Sequence, residues 1–253
     1  MKIFRIMTAA GLAGAVIFTA AGCANYNRTG SGLPEKESET AVSETAEETV
    51  TKAPQSAHDV SVEDLSKTTY TDDYNNTYTS VYPKLIVDGK EATNINETIS
   101  SYILKTYPIQ IKTDYGYIEG YETSYRWGVM GNTVSIVIHA SSIDSDYFTN
   151  EVFNYDLDTL KQLDDSEVVK RFGMTDEVFF NNTVDIIKKA GDDNRSYDLD
   201  KTVAAVNYDN VTPFVTSKGN PGVAASIYYA SDSQFGGSTS VRCFDMTTME
   251  QGY

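Results

Sequence analysis

Polar and apolar residues alternate from Thr68 to Tyr82, where Thr and Tyr are interleaved with Asp and Asn, as in an exposed strand. The period then lengthens. Over residues 89–107, Ile95, Ile99, Tyr102, Ile103 and Tyr107 recur at helical spacing, and Pro108 closes the segment. Period two returns at Asn132–His139, with Val134, Ile136 and Ile138 on one face and His139 on the other. Val152–Leu157 reads as another short strand, followed by a turn at Thr159-Leu160-Lys161. Asp165 or Ser166 can cap a short helix through Phe172. Thr175 can cap a longer one through Ala190, ending at Gly191, with Val178, Phe179, Val184, Ile186 and Ile187 as its buried face. Strands are predicted at 202–207, 211–216, 223–230 and 239–245, with Ser217-Lys218-Gly219-Asn220 as a hairpin turn. Strands flanking two helical segments predict an α+β fold, helices packed on an antiparallel sheet, in a single domain over 61–253.

None of that periodicity is present before about residue 60. Lys2 and Arg5 precede an uncharged run, Ile6–Ala21, which is shorter than the roughly 20 apolar residues of a membrane span. The run ends in Ala20-Ala21-Gly22-Cys23. This resembles a bacterial lipobox, with Ala20 where leucine is usual. It implies a signal peptide over 1–22, cut before Cys23, and a lipid anchor of diacylglycerol and palmitate-like chains on that thiol. The expected location is the extracytoplasmic face of the cell membrane. Each buried CH₂ of such an anchor contributes about 0.8 kcal/mol, so two or three chains hold stably.

Charge sharpens the picture. The 253 residues carry 20 Lys+Arg against 36 Asp+Glu, a formal net charge of −16. The leader contains two of the cations and no acid, so its removal takes the chain to −18. That excludes nucleic acid and anionic lipid surfaces as electrostatic partners. Segment 35–50, EKESETAVSETAEETV, concentrates six glutamates with no aromatic. Residues 23–60 therefore read as the lipidated cysteine followed by a disordered acidic tether, with His58 inside it.

Catalytic signatures are sparse. With His58 in the tether, His139 is the one histidine left to the domain, and Cys243 lies in a strand where a small buried apolar group is expected. The chain has no GxSxG elbow, Walker loop or GxGxxG, and no cofactor is implied. The close pairs Asp144/Asp146, Asp156/Asp158, Asp164/Asp165 and Asp192/Asp193 are the raw material for acid/base chemistry, but in so acidic a chain they read first as solvated surface. Asp192-Asp193-Asn194 with Asp198 and Asp200 puts five oxygen donors in nine residues, without the glycine and glutamate of a calcium loop, so no metal site is assigned. Tyr115, Tyr117, Tyr121, Tyr125 and Trp127 share one parity beside Gly116, Gly120 and Gly128. In extended chain these rings form one face, which is either a binding platform for carbohydrate or protein, or the buried side of a sheet with glycines at bulges.

Val81-Tyr82-Pro83-Lys84-Leu85 ahead of a helix with Ile95-Asn96-Glu97-Thr98-Ile99, then Val134–Ile138, Phe153-Asn154-Tyr155-Asp156-Leu157-Asp158-Thr159 and a short helix near Asp165, together resemble an extracytoplasmic domain of unknown function. That domain occurs in lysozyme-sensing anti-sigma-V factors and in the non-catalytic part of PdaC-type peptidoglycan deacetylases, and the resemblance spans roughly 70–250. Where members often carry a glycine-rich loop with a histidine, this chain has Ser141-Ser142-Ile143-Asp144-Ser145-Asp146. The resemblance implies an envelope location and a non-catalytic binding or sensing role, toward cell-wall glycan or a cationic protein such as lysozyme. The other expectations are a cell-wall hydrolase with a paired-carboxylate site and a structural partner in an envelope assembly.

Overall fold

A computed structural model describes residues 56–72, 75–109, 111–112, 118–193, 196–233 and 236–251. The leader, Cys23 and the tether up to residue 55 lie outside them. The segment read as one exposed strand is a hairpin: β1 (Val60–Thr71) pairs antiparallel with β2 (Thr77–Val87), from Val60↔Val87 to Thr71↔Thr77. Asp72 closes its turn, accepting the Asn75 amide on its carbonyl and the Asn76 amide on its carboxylate. The expected helix start at 89 is taken by a second turn. Asp88 and Gly89 both adopt positive φ, 51° and 71°, and link β2 to β3 (Lys90–Glu91) as a two-residue hairpin. Helix α1 (Thr93–Thr106) follows, then β4 (Ile111–Lys112) and β5 (Ile118–Glu119), which pair with each other.

Strands β6 (Tyr121–Met130), β7 (Thr133–Ser142) and β8 (Phe148–Asp156) form an antiparallel meander. The main sheet runs β1-β2-β6-β7-β8, with β3 beside β2. Its β2–β6 junction is parallel and consists of one pair, Ser80↔Thr123. Helices α2 (Asp165–Arg171), α3 (Asp176–Asp193) and α4 (Leu199–Ala204) precede a second sheet, β9 (Val211–Val215), β10 (Pro221–Tyr228) and β11 (Thr239–Asp245), ordered β11-β10-β9. The α+β reading stands, with two sheets in place of one.

Burial explains the layering. Ile95, Ile99 and Ile103 of α1 pack on Leu85, Val87, Val134, Ile136, Ile138, Phe153 and Tyr155. The opposite face of the meander offers Val137 and Val152 to Phe214, Ala224, Val241 and Cys243 of the second sheet. That sheet's far face, with Val211, Val223, Ala225, Ile227 and Phe244, receives Val169, Phe179, Ile186 and Ile187 from α2 and α3. The order is helix, sheet, sheet, helices. At the sheet–sheet seam, Ser135 Oγ donates to Asn154 Oδ1 (2.6 Å) and accepts from the Val215 amide (2.8 Å), while Asn154 Nδ2 donates to the Pro213 carbonyl (2.8 Å). These bonds fix one register between layers that apolar packing alone would let slide.

Four local expectations change. The strand expected at 202–207 is α4, capped by Asp198, whose side chain accepts the Lys201 amide. Val178 is exposed, whereas Phe179, Ile186 and Ile187 form the buried stripe of α3. Gly191 does not end α3; a Cβ there would stand 2.9 Å from Leu199 Cδ1, so the glycine admits α4's leucine. Gly120 and Gly128 mark close approaches: a Cβ would lie 2.0 Å from the Ile109 carbonyl oxygen and 1.9 Å from that of Thr216, respectively. No helix among the described residues is long and apolar enough to cross a membrane.

Candidate functional site

Side chains tie β2 to β6 at their junction. Glu122 accepts the Thr79 amide, Ser80 and Thr123 share a 2.6 Å hydroxyl contact, and Thr123 Oγ1 accepts the Val81 amide. Pairing with β2 ends at Thr123. A cleft of about 530 Å³ opens there between the β1–β2 hairpin and β6, lined by Asp64, Lys67, Tyr125, Arg126, Trp127 and Ser217 among others. Beyond Thr123 the β2-side edge of β6 is open while its other edge stays paired with β7, and side chains from both faces of β6 line the cleft: Tyr125 and Trp127 from one, Ser124 and Arg126 from the other.

The geometry inside is fixed. Tyr125 donates its hydroxyl to Asp64 Oδ1 (2.9 Å), and Lys67 Nζ sits 2.7 Å from Asp64 Oδ2. Lys67 and then Tyr125 hold the Asp64 carboxyl below its usual range. Burial, reinforced by Asp64, pushes the Tyr125 phenol up to about 12, so it stays a donor at neutral pH. Trp127 and Tyr125 lean on the α1 core and keep part of each ring open to solvent. Two anchored rings beside a carboxylate, an ammonium and a guanidinium suit a hydroxyl-rich ligand, through ring stacking and charge-assisted hydrogen bonds.

Of the five rings in the expected platform, the structure brings Tyr125 and Trp127 to this cleft. Tyr121 instead meets Tyr107 edge-on, with ring centroids 5.3 Å apart, and Tyr107 donates to Glu151 (2.9 Å). Burial raises the Glu151 carboxyl above its ordinary value. Tyr115 and Tyr117 lie outside the described residues. Tyr125 and Trp127 each pack partly against the core and partly line the cleft.

A second cavity, about 350 Å³, lies between the sheets and shares Ser124 and Arg126 with the first. Its walls include His139, Phe148, Asn150, Arg242 and Cys243. Asn150 Nδ2 donates to the Val241 carbonyl (2.7 Å), which leaves Oδ1 to accept from His139 Nδ1 at 3.1 Å and so places a proton on that nitrogen. Cys243 is buried and its thiol is pushed up to about 12 by burial, against an opposing pull from Arg126; it is an inert wall and no nucleophile.

Of the paired carboxylates, Asp156, Asp158 and Asp164 hold partners. Asp156 holds Arg171, the backbone amide and hydroxyl of Thr159, and is 8% exposed. Asp158 accepts from Asn132 and His58, and Asp164 caps α2 in a reciprocal capping box with Glu167. Asp198 caps α4, and the described residues contain no group of three His, Cys, Asp or Glu placed to hold a metal. His58, assigned to the tether by composition, stands between Asp88 (2.8 Å from Nδ1) and Asp158 (2.9 Å from Nε2), with its side chain 19% exposed. Arg126 and Arg242 carry no sequence signature of their own, although Arg126 sits between Tyr125 and Trp127.

Comparison of the chain with family models, with curated proteins and with solved structures finds no match.

Proposed function

We propose that the chain is a lipid-anchored envelope protein whose α+β domain is a non-catalytic binding module for cell-wall glycan. The observation that supports this most is the cleft at the parted β2–β6 junction, where Tyr125 and Trp127 flank the Asp64–Lys67 pair. Sugar rings present apolar faces to aromatic side chains and hydroxyl edges to charged groups, and the cleft offers both in one place. The leader over 1–22, cut before Cys23, and the resemblance to an extracytoplasmic sensor domain support the proposed location: a module held at the membrane by lipid and reaching the wall on an acidic tether.

A second reading, a cationic protein partner such as lysozyme, is favoured by the net charge of −16, which steers basic proteins toward the domain and weakens as salt screens it. One experiment addresses both. Co-sedimentation of the protein with purified insoluble peptidoglycan is expected to deplete it from solution, and Trp127→Ala to reduce that depletion about tenfold in affinity, the scale of one lost aromatic contact. Trp127→Phe retains most of it. Absence of depletion, with salt-sensitive capture on immobilised lysozyme, would overturn the glycan reading in favour of the protein partner.

A further inference from the structure

The cavity between the sheets is cationic in a protein that is otherwise strongly acidic. Two guanidiniums, Arg126 from β6 and Arg242 from β11, line it together with His139, Asn150 and Ser124, and none of its lining residues is Asp or Glu. Arg242 is oriented by neutral groups. Its Nε and Nη2 both donate to the Tyr229 hydroxyl, at 3.0 and 2.6 Å, and its guanidinium carbon lies 4.0 Å from the Phe148 ring centroid. Among the described residues no carboxylate is bridged to it. A phenol and a ring hold the fork in place without neutralising its charge, which is the arrangement that leaves a guanidinium able to take an external anion.

The neighbouring groups are equally set. Ser124, His139 and Asn150 are cross-strand partners in one row over β6, β7 and β8, so three short polar side chains are presented side by side. Asn150 is pinned to the Val241 carbonyl on β11, which holds this row against the strand that carries Arg242. Small-molecule sites run from about 300 to 1,000 Å³, and a cavity of about 350 Å³ is at the small end of that range.

We propose that this cavity binds a small oxyanion-bearing solute, a carboxylate or phosphate ester of up to about one sugar ring, gripped by Arg126 and Arg242. The inference rests on the composition and geometry of the cavity and holds whether or not the neighbouring cleft takes wall glycan. The shared walls, Ser124 and Arg126, would let one acidic sugar engage both spaces, with its ring toward Tyr125 and Trp127 and its anionic substituent toward Arg242.

Isothermal titration of the full chain with three probes tests it: inorganic phosphate, N-acetylmuramic acid, and N-acetylglucosamine as the neutral ring without the carboxylate. Saturable binding of phosphate or N-acetylmuramic acid, and none of N-acetylglucosamine at this site, is expected, and whichever anion binds identifies the source. Arg126→Gln should weaken that binding about tenfold or more, the loss of one charge-assisted contact, and Arg242→Lys, which keeps charge but not the fork, should weaken it less. The wild-type protein labelled at arginine nitrogen supplies a readout that needs no variant, since the Arg126 and Arg242 Nε–H signals should shift together as phosphate is added. No saturable heat from either anion up to about 10 mM, the weak end of small-ligand affinity, would overturn the proposal. So would undiminished binding by Arg126→Gln, or arginine signals that do not move.

Discussion

His58 faces a carboxylate at each ring nitrogen, Asp88 on one side and Asp158 on the other, so only the doubly protonated imidazolium donates to both. Those two hydrogen bonds raise its pKa above the ordinary 6.5, with the Asp88 bond as the larger influence, and His58 in turn lowers Asp88. The sign follows directly. A group whose folded pKa is raised stabilises fully below its unfolded value, and that stabilisation disappears as pH rises through the folded value. Thermal melts of the wild type should therefore lose midpoint from pH 6.5 upward relative to His58→Gln, and the two curves should converge on the alkaline side. Parallel curves across that window would show that the clamp contributes nothing. The residue joins the loop after β8 to the entry of β1 and the β2–β3 turn, which the Asp88 amide already links by donating to the Asp59 carbonyl (2.8 Å).

At the scale of elements, α1 is held by more than its isoleucine stripe. Asn96, 4% exposed, accepts the Leu85 amide (2.8 Å) and donates to the Leu85 carbonyl (3.2 Å), which pins the helix to β2 at one register. Asn96→Ala leaves both backbone groups without this partner and should cost about 1–3 kcal/mol in chemical denaturation. A variant within about 0.5 kcal/mol of wild type, the ordinary scatter of surface substitutions, would contradict that role. The stripe Ile95, Ile99 and Ile103 was legible in the sequence because helical period is local. So were β11, the Ser217–Asn220 turn and the buried face of β7. Helix α4 was not: Thr202-Val203-Ala204-Ala205-Val206 looks extended because β-branched residues dominate it, yet the Asp198 cap and the bonds of Thr202 Oγ1 to the Asp198 carbonyl and the Tyr228 amide settle it as helix. The site was legible to the same depth. Shared parity put Tyr125 and Trp127 on one face, but Asp64 reaches Tyr125 across 61 positions of sequence, through a parallel junction that no local pattern announces. Arg242 arrives from a different sheet. Non-local pairing made both cavities, and only their aromatic half had a sequence signature.

At the scale of the whole molecule, the domain is four layers with a fault in one of them. Sheet pairing runs from β6 to β8, and from β1 to β2 with a register shift between Asp64 and Ser66, and a single pair joins the two blocks, so the cleft follows from topology, with Ser217 of the β9–β10 turn added to its wall. Trp127 is the single tryptophan of the chain and lines that cleft, so its intrinsic emission reports on the site alone. The most direct measurement is a fluorescence titration of the wild-type protein with soluble, tryptophan-free peptidoglycan fragments. A saturable change in Trp127 intensity or wavelength is expected. An emission spectrum that stays constant through the titration, from protein shown to be folded, would contradict it.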